Sequence, residues 1–154
     1  MTFFPRIVEA KLALNMICPE AFPMLAMDAL EADLDGQTIR RLSGLTRPSG
    51  YTTDLLRERF MAEAGLVTIS KDTACARLAQ ELARGAIRSG ADPLQFTKDL
   101  KQLWIAADYP SALQDIGGLD EEVYVSEYMG HTLSETREMV RKRFLQFAES
   151  PDVP

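Results

Sequence analysis

The stretch from Ser70 to Gly90 decides the fold class, and it reads SKDTACARLAQELARGAIRSG. Ser70 is a favoured residue for a helix N-cap, and Gly90 is a favoured residue just beyond a last turn. Between them, apolar residues recur every three or four positions, which is the period of an amphipathic α-helix. The sequence therefore predicts a long helix that buries Cys75, Leu78, Ala79, Leu82, Ala83 and Ala86 and exposes Arg77, Glu81, Arg84 and Arg88.

Similar start and stop signals recur along the whole chain. Asp92-Pro93 places a capping acid before a first-turn proline, and Thr132-Leu133-Ser134-Glu135 has the pattern of a capping box. The final helix is expected to bury Leu133, Val140, Phe144 and Phe147. Around residues 120–129 a short helix is predicted, although Val123-Tyr124-Val125 would also suit a strand. Helices are predicted over about 5–18, 20–33, 39–45, 53–64, 70–90, 92–107, 120–129 and 132–149.

These elements together predict an all-α protein, a single-domain bundle of about seven to eight short helices. A chain of 154 residues is long enough to bury one core without disulfides or metal. The helical domain is expected to span 1–149, and residues 150–154, Ser-Pro-Asp-Val-Pro, to form a flexible C-terminal tail. Trp104 is predicted to be a core residue. Met24 and Met27 could line an adaptable binding groove, but their helical spacing favours a core interpretation.

The composition narrows the function classes. The net charge of −6 argues against a general affinity for nucleic-acid phosphates or anionic lipid. Charges at Arg6, Glu9 and Lys11 interrupt any apolar signal sequence, so a cytoplasmic protein without a membrane partner is expected. Cys18 and Cys75 lie far apart in sequence, and buried reduced thiols are expected rather than a disulfide.

No motif for catalysis, cofactors or metal stands out. The chain lacks GxSxG, GxxxxGK[ST] and GxGxxG patterns. His131 is the only histidine, and an exposed linker position is favoured over a role as base or ligand. Glu127 and His131 fall short of a helical metal motif, which needs several inward carboxylates. We therefore expect neither an enzyme nor a cofactor, and an enzyme built on scattered carboxylates is the least favoured alternative.

The distribution of acidic residues is the most informative feature. No Lys or Arg occurs from Gln102 to Thr136, whereas seven acidic residues do. Two interpretations are open: a solvated face, or a docking surface whose charges steer a basic partner and whose tyrosines anchor it. The docking interpretation predicts a partner-binding surface formed by Asp108, Tyr109, Asp115, Asp120, Glu121, Glu122, Tyr124, Glu127 and Tyr128.

A second interpretation rests on a basic patch. Five arginines, at positions 40, 41, 47, 57 and 59, flank a loop that contains Pro48 and Gly50. Two short helices around such a loop suggest a helix-turn-helix, although the loop is longer than the usual turn. The alternative is therefore a helical regulatory or DNA-associated protein that uses the region Arg40–Arg59.

Part of the chain resembles a group of small all-helical bacterial proteins without known activity. The resemblance lies in Ala91-Asp92-Pro93-Leu94, Leu103-Trp104 and Tyr109-Pro110, and in Arg40-Arg41-Leu42-Ser43-Gly44, where that group usually has Ala instead of Ser43. It covers about half of the chain and implies a helical fold, similar to that of immunity proteins that neutralise bacterial toxins. With the acidic surface, it leads to the expectation of an immunity- or antitoxin-type inhibitor of a basic toxin.

Overall fold

Helices form all of the regular secondary structure in residues 3–154, the part of the chain that this computed structural model describes. The predicted all-α class is thereby confirmed. Residues 3–154 contain nine α-helices rather than seven or eight, since the chain between 111 and 128 forms two short helices that meet at Gly117-Gly118. They group into two compact units, one that extends to Ser70 and one that begins at Lys71. The single domain over 1–149 stays a prediction.

The first unit contains four α-helices around an aromatic core. The rings of Phe22 and Phe60 pack edge to face with centroids 6.4 Å apart, and Leu12, Ile39 and Leu42 are buried beside them. The helices are α1 Pro5–Ala13, α2 Phe22–Glu31, α3 Gln37–Ser43 and α4 Gly50–Glu63, with a 3₁₀ turn at Pro19–Ala21 before α2.

Two side chains of α4 close the ends of other helices in the first unit. The carboxylate of Glu63 accepts hydrogen bonds from the backbone N–H groups of Thr38 (3.0 Å) and Ile39 (2.9 Å), at the start of α3. The guanidinium of Arg57 donates to the carbonyl of Leu12, near the end of α1. Both contacts satisfy backbone groups that have no partner within their own helix.

The core interpretation of Met24 and Met27 is wrong. Their side chains are 54% and 47% exposed, because α2 turns Ala26 and Ala29 toward the core instead. Met24 and Phe4 both line a shallow apolar groove on the first unit.

The second unit is arranged around α5, which packs against α9 and α6. Its core includes Cys75, Ala79, Leu100, Val140 and Phe144. The helices are α5 Lys71–Ser89, α6 Thr97–Ala106, α7 Gln114–Gly117, α8 Leu119–Tyr128 and α9 Leu133–Glu149, with 3₁₀ turns at Pro93–Phe96 and Ser111–Leu113. The open choice at residues 120–129 is thus resolved as helix.

The structure corrects the predicted burial of Arg77, Leu133 and Cys18. Arg77 is buried rather than exposed, and it donates to the oxygen of Pro154. Leu133, predicted as core, is 49% exposed because it is the first residue of α9. The thiol prediction is confirmed for Cys75, whose burial raises its pKa, but is wrong for Cys18, which is exposed.

Candidate functional site

Helix α8 carries most of the predicted surface, and it is unusually exposed. Leu119 is its only buried residue. Tyr124 and Tyr128 are 70% and 86% exposed, and Val125 and Met129 are also largely open to solvent. A helix of ten residues is marginal in isolation, so the few contacts that hold α8 matter for its position.

Those contacts join α8 to α6 and α9. The hydroxyl of Thr97, at the start of α6, donates to the carboxylate of Asp120 over 3.1 Å. The hydroxyls of Ser126 and Thr136 are hydrogen-bonded over 2.9 Å. Asp120 is thus half-buried, whereas the carboxylates of Glu121 and Glu127 on α8 remain exposed.

Several of the predicted acidic residues have partners within the protein. The Nζ atom of Lys101 lies 3.3 Å from the carboxylate of Glu121 and 3.8 Å from that of Asp120. Arg143 of α9 lies 3.5 Å from Glu122. Asp120, Glu121 and Glu122 also occupy the first turn of α8, where the helix dipole favours negative charge. These contacts are what the solvated-face interpretation predicts for the three residues, and they do not by themselves point to a partner.

Glu127 differs from these three acidic residues in its position along α8 and in its lack of an ion pair within the described residues. It lies in the last turn of α8, where the helix dipole disfavours a negative charge. Its carboxylate makes no ion pair with any residue of the described part. It is exposed and follows Tyr124 by three positions, so the two side chains are neighbours on the helix surface. The local structure offers no reason for an acid at this position.

A groove runs along the other side of α8. Trp104, Val125, Met129 and Met139 provide its apolar walls, and Asp115, Glu121 and Glu122 provide carboxylates around them. Trp104 belongs to α6, Asp115 to α7 and Met139 to α9, so four helices, including α8, contribute to the lining. Such a groove suits a cationic side chain, because an indole and a carboxylate each attract positive charge.

Trp104 is half-buried, which contradicts its prediction as a core residue. Its indole N–H donates to the carbonyl of Pro110 over 3.2 Å, and its ring packs edge to face with Tyr109, with centroids 5.0 Å apart. Asp108 and Tyr109 have φ angles of 62° and 55°, a conformation unusual for residues other than glycine. This turn keeps Tyr109 against Trp104.

The predicted surface is therefore brought together only in part. Asp115, Glu121 and Glu122 surround the groove, and Tyr109 contacts its tryptophan. Tyr124, Glu127 and Tyr128 lie on the open side of α8. Asp108 is exposed beside Tyr109 but lines none of the groove.

Sequence reasoning missed the apolar residues of the site. Val125, Met129 and Met139 line the groove, yet none of them was predicted to take part. A signal was present, because Val123-Tyr124-Val125 followed by Met129 gives α8 apolar residues on more than one face. A helix of this kind in a small domain lacks enough neighbours to cover every face.

The basic patch is less coherent in the structure than in the sequence. Arg40 forms an ion pair with Asp35, and Arg57 donates to Asn15 and to the carbonyl of Leu12. Residues 44–49 separate α3 from α4, which is longer than the turn of a helix-turn-helix. Arg41, Arg47 and Arg59 are exposed.

His131 is exposed between α8 and α9, and its Nδ1 atom lies 3.0 Å from the carboxylate of Glu135. This contact lowers the pKa of Glu135, which also accepts from the backbone N–H of Thr132 in the capping box. Within residues 3–154, no three His, Cys, Asp or Glu side chains are close enough to hold a metal ion. Nor does any helix in this range have the length and apolar character that crossing a bilayer requires.

Comparison of the chain with protein-family models, with curated proteins and with solved structures finds no match. The resemblance to immunity-type proteins accordingly stays a prediction.

Proposed function

We propose that this chain is a non-enzymatic protein-binding protein, and that the exposed side of α8 and the adjoining groove bind a basic protein partner. The observation that carries the proposal is that α8 has a single buried residue, whereas α8 and its C-cap together expose four large side chains, Tyr124, Val125, Tyr128 and Met129. Contiguous exposed apolar residues within a polar rim are typical of interaction sites.

The proposed surface contains tyrosines and carboxylates, and the two kinds of residue have different roles in binding. Tyrosine is enriched among residues that dominate binding energy, because it covers a large area and has few rotatable bonds. Carboxylates at the rim raise the rate of encounter with a positive partner more than they raise affinity. Tyr124 and Tyr128 would thus slow dissociation, while Asp115, Glu121 and Glu127 would speed association.

The residues that line the groove indicate which residue types of a partner protein it would bind. The carboxylates of Asp115 and Glu121 line the same groove as the indole of Trp104, so a Lys or Arg side chain that enters it would meet both charge and an aromatic face. Val125 and Met129 would cover apolar side chains next to that cation. The partner segment is therefore one in which basic and apolar residues lie side by side, as on a basic amphipathic helix.

An inhibitor of the immunity or antitoxin type fits this chemistry. A basic enzyme that acts on phosphate-bearing substrates has a positive cleft, and an acidic surface with tyrosine anchors would occlude it. No metal or cofactor enters this proposal. The bacterial origin and the toxin partner rest on the resemblance described above and on charge complementarity.

Three affinity columns distinguish this function from the DNA-associated alternative. The protein should be retained on an immobilised basic protein such as a histone and elute as salt rises, because exposed charges are screened. It should pass through heparin and double-stranded DNA columns at the same ionic strength. Retention on DNA that is lost in Arg41→Gln/Arg47→Gln/Arg59→Gln would contradict the proposal and support the basic patch.

A further inference from the structure

Residues 150–154 lie along α5 and run in the opposite direction to it. Arg84 donates from Nε to the carbonyl of Ala148 (3.1 Å), in the last turn of α9 just before the tail, and Gln80 donates to the carbonyl of Pro151 (3.1 Å) in the tail. Arg77 then donates from Nε to the oxygen of Pro154 (2.7 Å). Since these three residues of α5 are spaced by three and four positions, they share one face of the helix and meet the tail about once per turn.

Gln80 is the centre of this arrangement. Its side chain is buried, with the residue 3% exposed. The amide nitrogen donates to the carbonyls of Ser150 (3.2 Å) and Pro151, and the amide oxygen accepts from the N–H of Val153 (3.2 Å). Both ends of a buried amide are thus satisfied by the backbone of one extended segment. Leaving such a group without partners costs about 1–3 kcal/mol.

The donors of α5 match the chemistry of the tail. Pro151 and Pro154 have no N–H, so this segment presents mainly carbonyl acceptors. The row of Arg77, Gln80 and Arg84 supplies mainly donors. The row also contacts one side chain of the tail, since the guanidinium of Arg84 lies 2.7 Å from the carboxylate of Asp152. The row therefore suits an extended segment that combines prolines with an acidic residue.

The balance of free energies allows residues 150–154 to detach from α5. Pro151, Asp152 and Pro154 are exposed, so the tail buries little apolar surface. Ordering a residue costs about 1–2 kcal/mol of backbone entropy, and a hydrogen bond returns about 0.5–1.5 kcal/mol, or more with a charged group. The entropy cost of ordering the tail and the stabilisation by its hydrogen bonds are therefore similar in size. Under this condition the tail can be displaced reversibly from α5.

We propose that the Arg77–Gln80–Arg84 row of α5 is a binding site for extended, proline-containing acidic peptides, and that residues 150–154 occupy it as a tethered competitor. An external segment of this chemistry, from another protein, would bind by displacing the tail. The site uses donors on α5 and stands independently of the acidic surface on α8.

The test is a peptide titration of the full-length chain. The probe is a fluorescein-labelled peptide Ala-Glu-Ser-Pro-Asp-Val-Pro, followed by anisotropy. One protein is the wild type, and the other carries S150G, P151S, D152G, V153S and P154G, which loosens the tail at constant length. The second should bind the peptide at least about tenfold more tightly, because its site is no longer occupied. Adding Arg84→Gln should weaken binding of this peptide but not of its Asp→Asn version.

Three results would overturn the proposal. The first is equal peptide affinity of the wild type and the tail-replaced protein. The second is no binding of the peptide to the tail-replaced protein at about 1 mM peptide. The third is a wild-type dimer that becomes monomeric on tail replacement, which would assign the site to a second copy of the chain. If the five replacements unfold the chain by circular dichroism, V153P in the wild type provides the test, since it removes the N–H that donates to the side-chain oxygen of Gln80. V153P should then raise peptide affinity, and unchanged affinity would refute displacement.

Discussion

The side chain of Trp104 rests directly on the backbone of Gly117. A Cβ atom built at Gly117 would lie 2.4 Å from the Cβ of Trp104, a distance that real side chains do not tolerate. Gly117 ends α7 and is buried, and its nearest neighbour is the Cβ of Trp104, so a rotation of the indole would not relieve the contact. The absence of a side chain at Gly117 therefore sets the position of the tryptophan that lines the groove.

Gly117→Ala should destabilise the protein by about 1–3 kcal/mol, the usual cost of overpacking a well-packed site. It should also change the emission of Trp104, the only tryptophan in the chain. Gly85→Ala is the matched control, because its new methyl group would approach only the end of Arg88, 4.0 Å away. That change should stabilise α5 by about 1 kcal/mol through helix propensity. Urea unfolding followed by circular dichroism measures both, and a neutral Gly117→Ala would contradict the close contact.

The part of this site that sequence reasoning could predict is the part determined locally. The capping box of Thr132 and Glu135 depends on residues three positions apart, and it is present as predicted. The N-cap acid Asp92 likewise accepts from the N–H of Leu94, and this bond holds the pKa of Asp92 below its ordinary value. Helix caps of this kind can be recognised in a single sequence, because the residues that form them are only two or three positions apart.

Contacts between distant segments could not be predicted in the same way. Glu63 reaches the start of α3 from α4, Trp104 meets Gly117, and Gln80 holds residues 150–154. Each depends on how helices pack, which the apolar period of one helix does not specify. For the same reason Leu133 fits the stripe of α9 and yet is exposed, because it precedes the part of α9 that has neighbours.

The cap formed by Glu63 predicts a pH dependence of stability. Burial alone would raise the pKa of Glu63, but hydrogen bonds from the N–H groups of Thr38 and Ile39 outweigh it and lower the pKa from its ordinary value of 4.5. A carboxyl with a lowered folded pKa stabilises the protein fully above its unfolded pKa. This contribution is lost as pH falls below about 4.5 and through the folded pKa.

Glu63→Gln should therefore lower the unfolding free energy by about 1 kcal/mol at neutral pH, as loss of a helix cap does. The difference from wild type should shrink as pH falls below 4.5. Glu58→Gln, an exposed position on the same helix, is the control and should have little effect. A deficit that stays constant down to pH 3 would show that the Glu63 carboxylate does not carry the cap.

Glu127 provides a prediction in which stability and binding change in opposite directions. Glu127→Lys places a positive charge in the last turn of α8, where the helix dipole favours it, so the melting temperature should rise slightly. If α8 binds a basic partner, the same change should slow association, since like charges repel. Glu149→Lys in the last turn of α9 is the control, and it should leave association unchanged.

Thermal unfolding and association kinetics with a lysine-rich amphipathic helical peptide measure the two effects. Slower association only in Glu127→Lys supports a role of Glu127 beyond the solvated face. Equal association rates for both lysine variants and the wild type would leave Glu127 as an ordinary surface residue and contradict its place in the interface.

The most direct test of the account compares two variants of equal net charge. Asp115→Asn/Glu121→Gln/Glu127→Gln neutralises the proposed surface, and Glu20→Gln/Asp54→Asn/Glu58→Gln neutralises three exposed acids of the first unit. Stopped-flow fluorescence of Trp104 reports association with the lysine-rich peptide at low and high salt. If the partner binds at α8, the first variant should associate about tenfold or more slowly at low salt and show a weaker salt dependence. The second variant should match the wild type, and equal rates for both variants would contradict binding at α8.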